Sequence, residues 1–353
     1  EVDRWGNYKP SNNSNIALDN KYFPFVNQES RNIANQNASA WLLNKISLPS
    51  GGMIEIDYEA HDYAFVQNKR AMYMTKIIGV TKGLPNNLSD ASKNVLYNGT
   101  NSNNYLIFKL KNTLAANLSN ADANALVKQN YFSDPLDNEY GSIINNNHSN
   151  LYGKFRVNLI SSLGFNEEDI PVFLNAKDCG ALKFGNSYDY GYILLENTST
   201  ETNLTNDANQ ISKIAWQFVK HSYSQILFEM NADPALSSSE SMEFIANALQ
   251  PAANVVKTIL KLGPYKKLRD MNVAQTIVLD KSYIRLYVPD NFKIGGNGAR
   301  VKQVKINDNW KEMTNNSNSD ASYTINYEYT KKVNNEFISS GVASYEPELG
   351  GEE

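Results

Sequence analysis

The chain has a single cysteine, Cys179, in 353 residues. An intrachain disulfide is therefore excluded, and stability has to come from a buried core, which a chain of this length can build without staples. Cysteine avoidance of this kind is compatible with export. Histidine is nearly as scarce. His61, His148 and His221 lie far apart, and none falls in the HExxH or His-x-His spacing of a zinc site. Positive charge is not in excess either. Lys and Arg number 33 against 37 Asp and Glu, a net charge of −4. Phosphate neutralisation needs a basic face, so no nucleic acid partner is expected. The one basic stretch, Lys257 to Arg269, reads as the charged end of a helix, where cations oppose the dipole. No apolar run approaches the ~18 residues of a membrane-spanning helix. The opening residues do not read as a signal peptide, and none is expected in this stretch. Starting Glu1-Val2-Asp3 without an initiator Met and closing on Gly350-Gly351-Glu352-Glu353, it is expected to be cut from a longer protein.

What is present is the composition of a folded protein, 41% hydrophobic and 20% charged. Tyrosine (21) outnumbers phenylalanine (14), and asparagine is abundant. Tyrosine suits half-buried sheet faces, and asparagine suits turns. Both favour a β-rich, loop-rich protein of two or three domains, or of one large β architecture.

The most telling stretch runs from Trp41 to Tyr63. Leu42, Ile46 and Leu48 share one face, with Asn44 as the polar exception. Pro49-Ser50-Gly51-Gly52 then supplies a turn, since proline presets one dihedral and glycine permits positive φ. Met53 to Glu59 alternates strictly. Ile54, Ile56 and Tyr58 are expected on a dry face, and Glu55, Asp57 and Glu59 on a wet one.

This strand, Pro-Ser-Gly-Gly, alternating strand ending Tyr58-Glu59 resembles the repeat unit of Rhs/YD-repeat proteins, the large secreted bacterial shells that include the Tc-toxin cocoon. Asp3-Arg4-Trp5-Gly6-Asn7-Tyr8 is similar to a turn of the same repeats. Ser340 to Pro347 with Gly350 to Glu353, and Lys281 to Leu286 with Ala299 to Val304, resemble segments of very large Rhs-like proteins. The repeat-like wording covers residues 1–66 and 322–353. The resemblance implies a curved antiparallel sheet in the wall of a secreted or cell-surface shell, with the remainder of a longer chain and an enclosed toxin or effector as partners. The family's self-cleaving aspartate segment has no match, so no catalytic residue is carried over.

The expected organisation is mainly β with an inserted α+β segment. A β scaffold of hairpins spans 1–67, with residues 24–41 read as loop. An inserted β-rich region spans 68–206, with strands at Tyr105–Leu110, Lys154–Ser161, Val172–Ala176 and Tyr192–Glu196, turns over Lys183–Gly191, and a short helix over 117–130. Residues 207–263 predict a helical hairpin. Ile211, Ile214, Ala215, Phe218, Ser222 and Ile226 form its first stripe, and Gly263-Pro264 its stop. Strands at 264–321 close the insertion, and 322–353 return to the scaffold.

Few residues suggest chemistry, and no enzyme, metal or cofactor is expected. Cys179 has no CxxC partner and reads as a small buried residue. Gly295-Gly296-Asn297-Gly298 precedes a strand rather than a helix, so it reads as a turn between strands and not as a phosphate cradle. Glu55, Asp57, Glu59 and Asp62 form an acidic edge whose spacing would suit paired carboxylates, although charge on a wet sheet face is commonplace. Asn166–Asp169 and Asn315–Asp320 are oxygen-rich and read as solvated loops rather than Ca²⁺ sites. Trp5, Tyr8, Tyr22 and Phe23 cluster with asparagines in the manner of carbohydrate-binding rings. They mark an alternative in which the chain is an extracellular module binding a glycan or a surface protein. A second alternative is a segment of an outer-membrane secretion barrel.

Overall fold

The Pro49–Gly52 run turns the chain as its composition requires. Leu48 N–H donates to the Gly52 carbonyl at 2.8 Å, and Gly51 takes φ +87°. A computed structural model describes Gly6, Tyr8 and residues 30–98, 101–134, 142–144, 151–160, 165–196, 209–222, 272–315, 321–333 and 336–346. Among these, 53% lie in strands and 18% in helices, and no sheet closes on itself. The residues separate into two units, one from Glu1–Tyr73 with Tyr287–Glu353, the other from Met74–Leu286.

In chain order the first elements are α1 (Arg31–Ser39), β1 (Lys45–Ser47), β2 (Met53–Tyr63), β3 (Phe65–Val66), β4 (Lys69–Arg70) and β5 (Met72–Thr81). Then come α2 (Leu88–Ala91), β6 (Tyr97–Asn98), β7 (Asn101–Ser102), β8 (Tyr105–Leu114) and α3 (Asn120–Phe132). They are followed by β9 (Leu151–Ile160), β10 (Phe165–Leu174), β11 (Ala176–Phe184), β12 (Ser187–Leu195) and α4 (Gln210–Ser222). The last are β13 (Tyr283–Tyr287), β14 (Lys293–Asn307), α5 (Trp310–Thr314), β15 (Ser322–Asn326), β16 (Thr330–Val333), β17 (Glu336–Ser339) and β18 (Val342–Ala343).

The discontinuous unit is built on an antiparallel sheet in the order β1-β2-β14-β15. β14 pairs along nearly all of β2, so the strand expected to close the insertion belongs to the scaffold sheet. Gly295–Gly298 is not a turn between two strands. It lies inside β14 where the ladder shifts register, with Gly298 at φ +84°. Directly opposed residues share a face, which gives one apolar row Ile46–Ile54–Ile306–Tyr323 and a second Ile56–Val304–Ile325. α1 covers only one end of this sheet, where Ala34, Ala60 and Ile294 pack with Ala38 and Phe292. The face expected to be dry is therefore half-buried at Ile54, Ile56 and Tyr58. It is open on β15, where Tyr323 is 59% and Ile325 43% exposed.

α1 occupies residues expected as loop. Its asparagines are poor helix formers, and tertiary contacts hold it. Ala34 is fully buried, Ser30 caps the Ile33 N–H, and the Asn35 Oδ1 accepts from the Ala60 N–H at 2.9 Å.

The continuous unit carries a seven-stranded sheet, β10-β9-β13-β5-β8-β12-β11. α3 begins where its caps predict, with Ser119 Oγ accepting from the Asp122 N–H. It buries Tyr131 and Phe132 edge-on to Phe108, at 6.3 and 6.1 Å. The region expected to be turns over Lys183–Gly191 turns only at Gly185-Asn186, between β11 and β12. α4 packs on β9 and β10. The rest of the expected helical hairpin lies outside the described residues.

The start of α4 is fixed by two buried amides. Asn209 Oδ1 accepts from the Ile211 N–H, and its Nδ2 donates to the Asn103 carbonyl. Gln210 Nε2 donates to the carbonyls of Asn175 and Glu196, while its Oε1 accepts from the Asn175 N–H. Gln210→Ala removes three hydrogen bonds to backbone at once, while the Asn175 carbonyl keeps the Glu196 N–H as a donor. It is expected to cost about 2–3 kcal/mol in urea unfolding, at roughly 1 kcal/mol for each bond lost.

Candidate functional site

The acidic edge of β2 divides sharply. Asp57 faces solvent, whereas the side chains of Glu59 and Asp62 are 12% and 4% exposed. Both are consumed by arginines. Arg300, opposite Glu59 on β14, sets Nε 2.8 Å from Glu59 Oε1 and Nη1 3.0 Å from Asp62 Oδ1. Arg31 of α1 pairs with Asp62 Oδ2 and stands 3.8 Å from Glu59 Oε2. Ser339 Oγ at the end of β17 donates to Asp62 Oδ1 at 2.6 Å. Each guanidinium lies over one ring, Arg31 over Phe292 at 4.5 Å and Arg300 over Tyr329 at 4.2 Å. The knot holds two positive and two negative charges. A carboxylate pair for glycoside hydrolysis needs one protonated acid and room for a sugar. Here each acid is tied to arginine, which makes the cluster a cross-link of α1, β2, β14 and β17.

His61 sits beside this knot. Burial, and then the Arg300 charge, hold its imidazole below the ordinary histidine range, against the opposite pull of Asp62 and Glu59. Below its ordinary value of 6.5 the unfolded chain therefore binds more protons than the folded one. The stabilisation is fully present above that pH and is lost as the pH falls. Urea midpoints are expected to drop on acidification from 6.5, and to drop less in His61→Gln.

A second buried charge lies in the same unit. Lys293 is 1% exposed, with Nζ 2.6 Å from Glu346 Oε1 and bonded to the Met72 carbonyl. The same Glu346 oxygen accepts from the Tyr63 hydroxyl at 2.6 Å. Burial and the Glu346 charge push that phenol well above its ordinary range, so it remains a donor. Cys179, on β11, is buried, and its thiol is pushed up to about 12, first by burial and then by Asp178. It is not a thiolate nucleophile.

Asn166–Asp169, read as a solvated loop, lie in β10. Asp169 there receives both Arg156 Nε and Nη2, at 2.8 and 2.7 Å. Residues 316–320 and His148 lie outside the described residues, and His221 is in α4. Among the described residues no three His, Cys, Asp or Glu gather as a metal site, and no helix is long and apolar enough to cross a membrane.

Of the four rings singled out, Trp5, Tyr22 and Phe23 lie outside the described residues. Tyr8 meets Trp41 edge-on, with centroids 6.1 Å apart and planes at 76°. Trp41 is 84% exposed, directly after α1 and before β1. Sequence reasoning had placed Trp41 in the hairpin without a role. The signal in the sequence is a large aromatic ring directly after an asparagine-rich polar stretch and before a strand. No family model matches the chain, and neither a curated protein nor a solved structure matches it.

Proposed function

We propose that the chain is a non-catalytic wall segment of a large secreted or cell-surface shell of the Rhs/YD-repeat kind, which encloses a toxin or effector. The observation that carries this reading is the four-stranded antiparallel sheet, whose outer strands β1 and β15 leave it open, and whose apolar face is only partly covered, among the described residues. Such a sheet is a part that needs neighbours. Its interior acids are locked to arginines, which favours a structural role over catalysis. Wall strands alternating across a curved sheet are what the Trp41–Tyr63 wording implies. Electron microscopy of the parent protein, purified with its native flanking sequence, tests the reading. A hollow particle is expected. Separate solid domains joined by linkers overturn it.

The exposed Trp41 ring with Tyr8 at its edge favours a second reading, an extracellular module that stacks a sugar ring. Calorimetric titration with polysaccharides, repeated on Trp41→Ala, separates the two. Saturable binding that the substitution abolishes supports the module.

A further inference from the structure

We infer that β15 is a self-pairing edge, and that two copies of the chain join antiparallel through it about a two-fold axis at Thr324. This does not depend on the wall reading, in which the remainder of the longer chain would take the same edge. Among the described residues β14 alone pairs with β15, and all five residues from Ser322 to Asn326 are exposed. Exposed edge strands are ordinarily blunted by lysine, proline or a bulge. β15, Ser322-Tyr323-Thr324-Ile325-Asn326, has none of the three in its ladder to β14.

The occupant follows from the residue pairs. In a two-fold antiparallel seam every pair occurs twice, so a strand can meet itself only if each residue suits its mirror position. With Thr324 on the axis, Tyr323 meets Ile325 of the other copy, an aromatic against a β-branched side chain. Ser322 meets Asn326, polar on polar, and Thr324 meets Thr324. These are favourable cross-strand combinations, and no like charges oppose one another. The register also continues the apolar face. The row Ile54–Ile306–Tyr323 of one copy runs into Ile325–Val304–Ile56 of the other. The nearest cations in the described ladder are the Lys305 side chains beside each Thr324. Three strand spacings keep them roughly 14 Å apart, beyond the ~8 Å Debye length at physiological salt. A strand pair of this length is a small contact, so association is expected to be weak and concentration-dependent.

Sedimentation velocity of the full chain over a concentration series tests the seam, with Thr324→Lys, Thr324→Glu and their equimolar mixture. Wild type is expected to shift towards dimer with concentration. Either variant alone sets like charges face to face on the axis and is expected to lose at least about tenfold in association. The mixture is expected to recover it, because lysine then faces glutamate. Thr324→Glu lies opposite Lys305 within its own copy, so β15 stays seated, and unchanged thermal melting checks this. Wild type that remains monomeric throughout overturns the inference, as does a dimer indifferent to both variants. Failure of the mixture to recover overturns the two-fold register.

Discussion

Asp62→Ala is expected to be the most damaging single change in the discontinuous unit, lowering its unfolding free energy by about 3–5 kcal/mol. The carboxylate, itself 4% exposed, receives Arg31, Arg300 and Ser339. Truncation removes the anion and leaves Arg300, itself 9% exposed, with Glu59 as its remaining acid. The penalty comes chiefly from the cation left under-compensated rather than from the lost attraction. Asp62→Asn keeps an acceptor for Ser339 and gives up the charge, so it should fall between wild type and alanine. Asp57→Ala, five residues earlier and exposed, is the control and should stay within about 0.5 kcal/mol. Urea denaturation of the three variants checks the order. Equal, small losses at both positions would mean that the knot is not closed.

Gly79→Ala should do comparable harm in the continuous unit through sterics alone. Gly79 lies in β5 where its ladder to β8 shifts register. A Cβ there would stand 1.5 Å from the Ala91 carbonyl oxygen and 2.6 Å from its carbon. The obstacle is backbone at the end of α2, and it cannot rotate away. Ala91 is fully buried against Ile107, so α2 can yield only by lifting its exposed Leu88–Asp90 side outward and uncovering Ala91. Overpacking ordinarily costs roughly 1–3 kcal/mol, and with a rigid obstacle we expect about 3 kcal/mol or more. Gly83→Ala, where the added methyl meets nothing within 4 Å, should be neutral. Thermal melts of the two variants give the comparison, and similar melting temperatures would refute it.

Local features were legible in the sequence where the residues themselves force the backbone. The Pro49–Gly52 turn and the Ser119 cap of α3 act over four residues or fewer, and the alternation of the strand after the turn is contained within Met53–Glu59. α1 escaped because its asparagine-rich sequence carries no apolar stripe, and its stability comes from β2 and β14. The acids of β2 were readable as acids but not as buried. Their partners are Arg31, in a segment taken for loop, and Arg300, 241 residues from Glu59. No periodicity spans such a gap. The Ile54 face, expected dry and found half-buried, differs for a related reason. Alternation reveals that a strand has an apolar side, and leaves open whether another layer lies on it.

The pairing of β2 with β14 has a consequence for the order of folding. Ribosomes add about 5–20 residues per second, so the 241 residues separating Glu59 from Arg300 delay that contact by roughly 12–48 s. The continuous unit is complete in the meantime. Its first and last strands, β5 and β13, are hydrogen-bonded neighbours in the seven-stranded sheet. Once that sheet forms, the chain leaves it beside the point where it entered, and the long loop between β2 and β14 is already closed. Most of the entropy of bringing the distant strands together is then lost while the inserted unit folds. Its folding becomes the clock for the discontinuous unit. Slow-folding variants of the insert should expose the acids of β2 to nascent-chain proteolysis even though they touch nothing in that sheet.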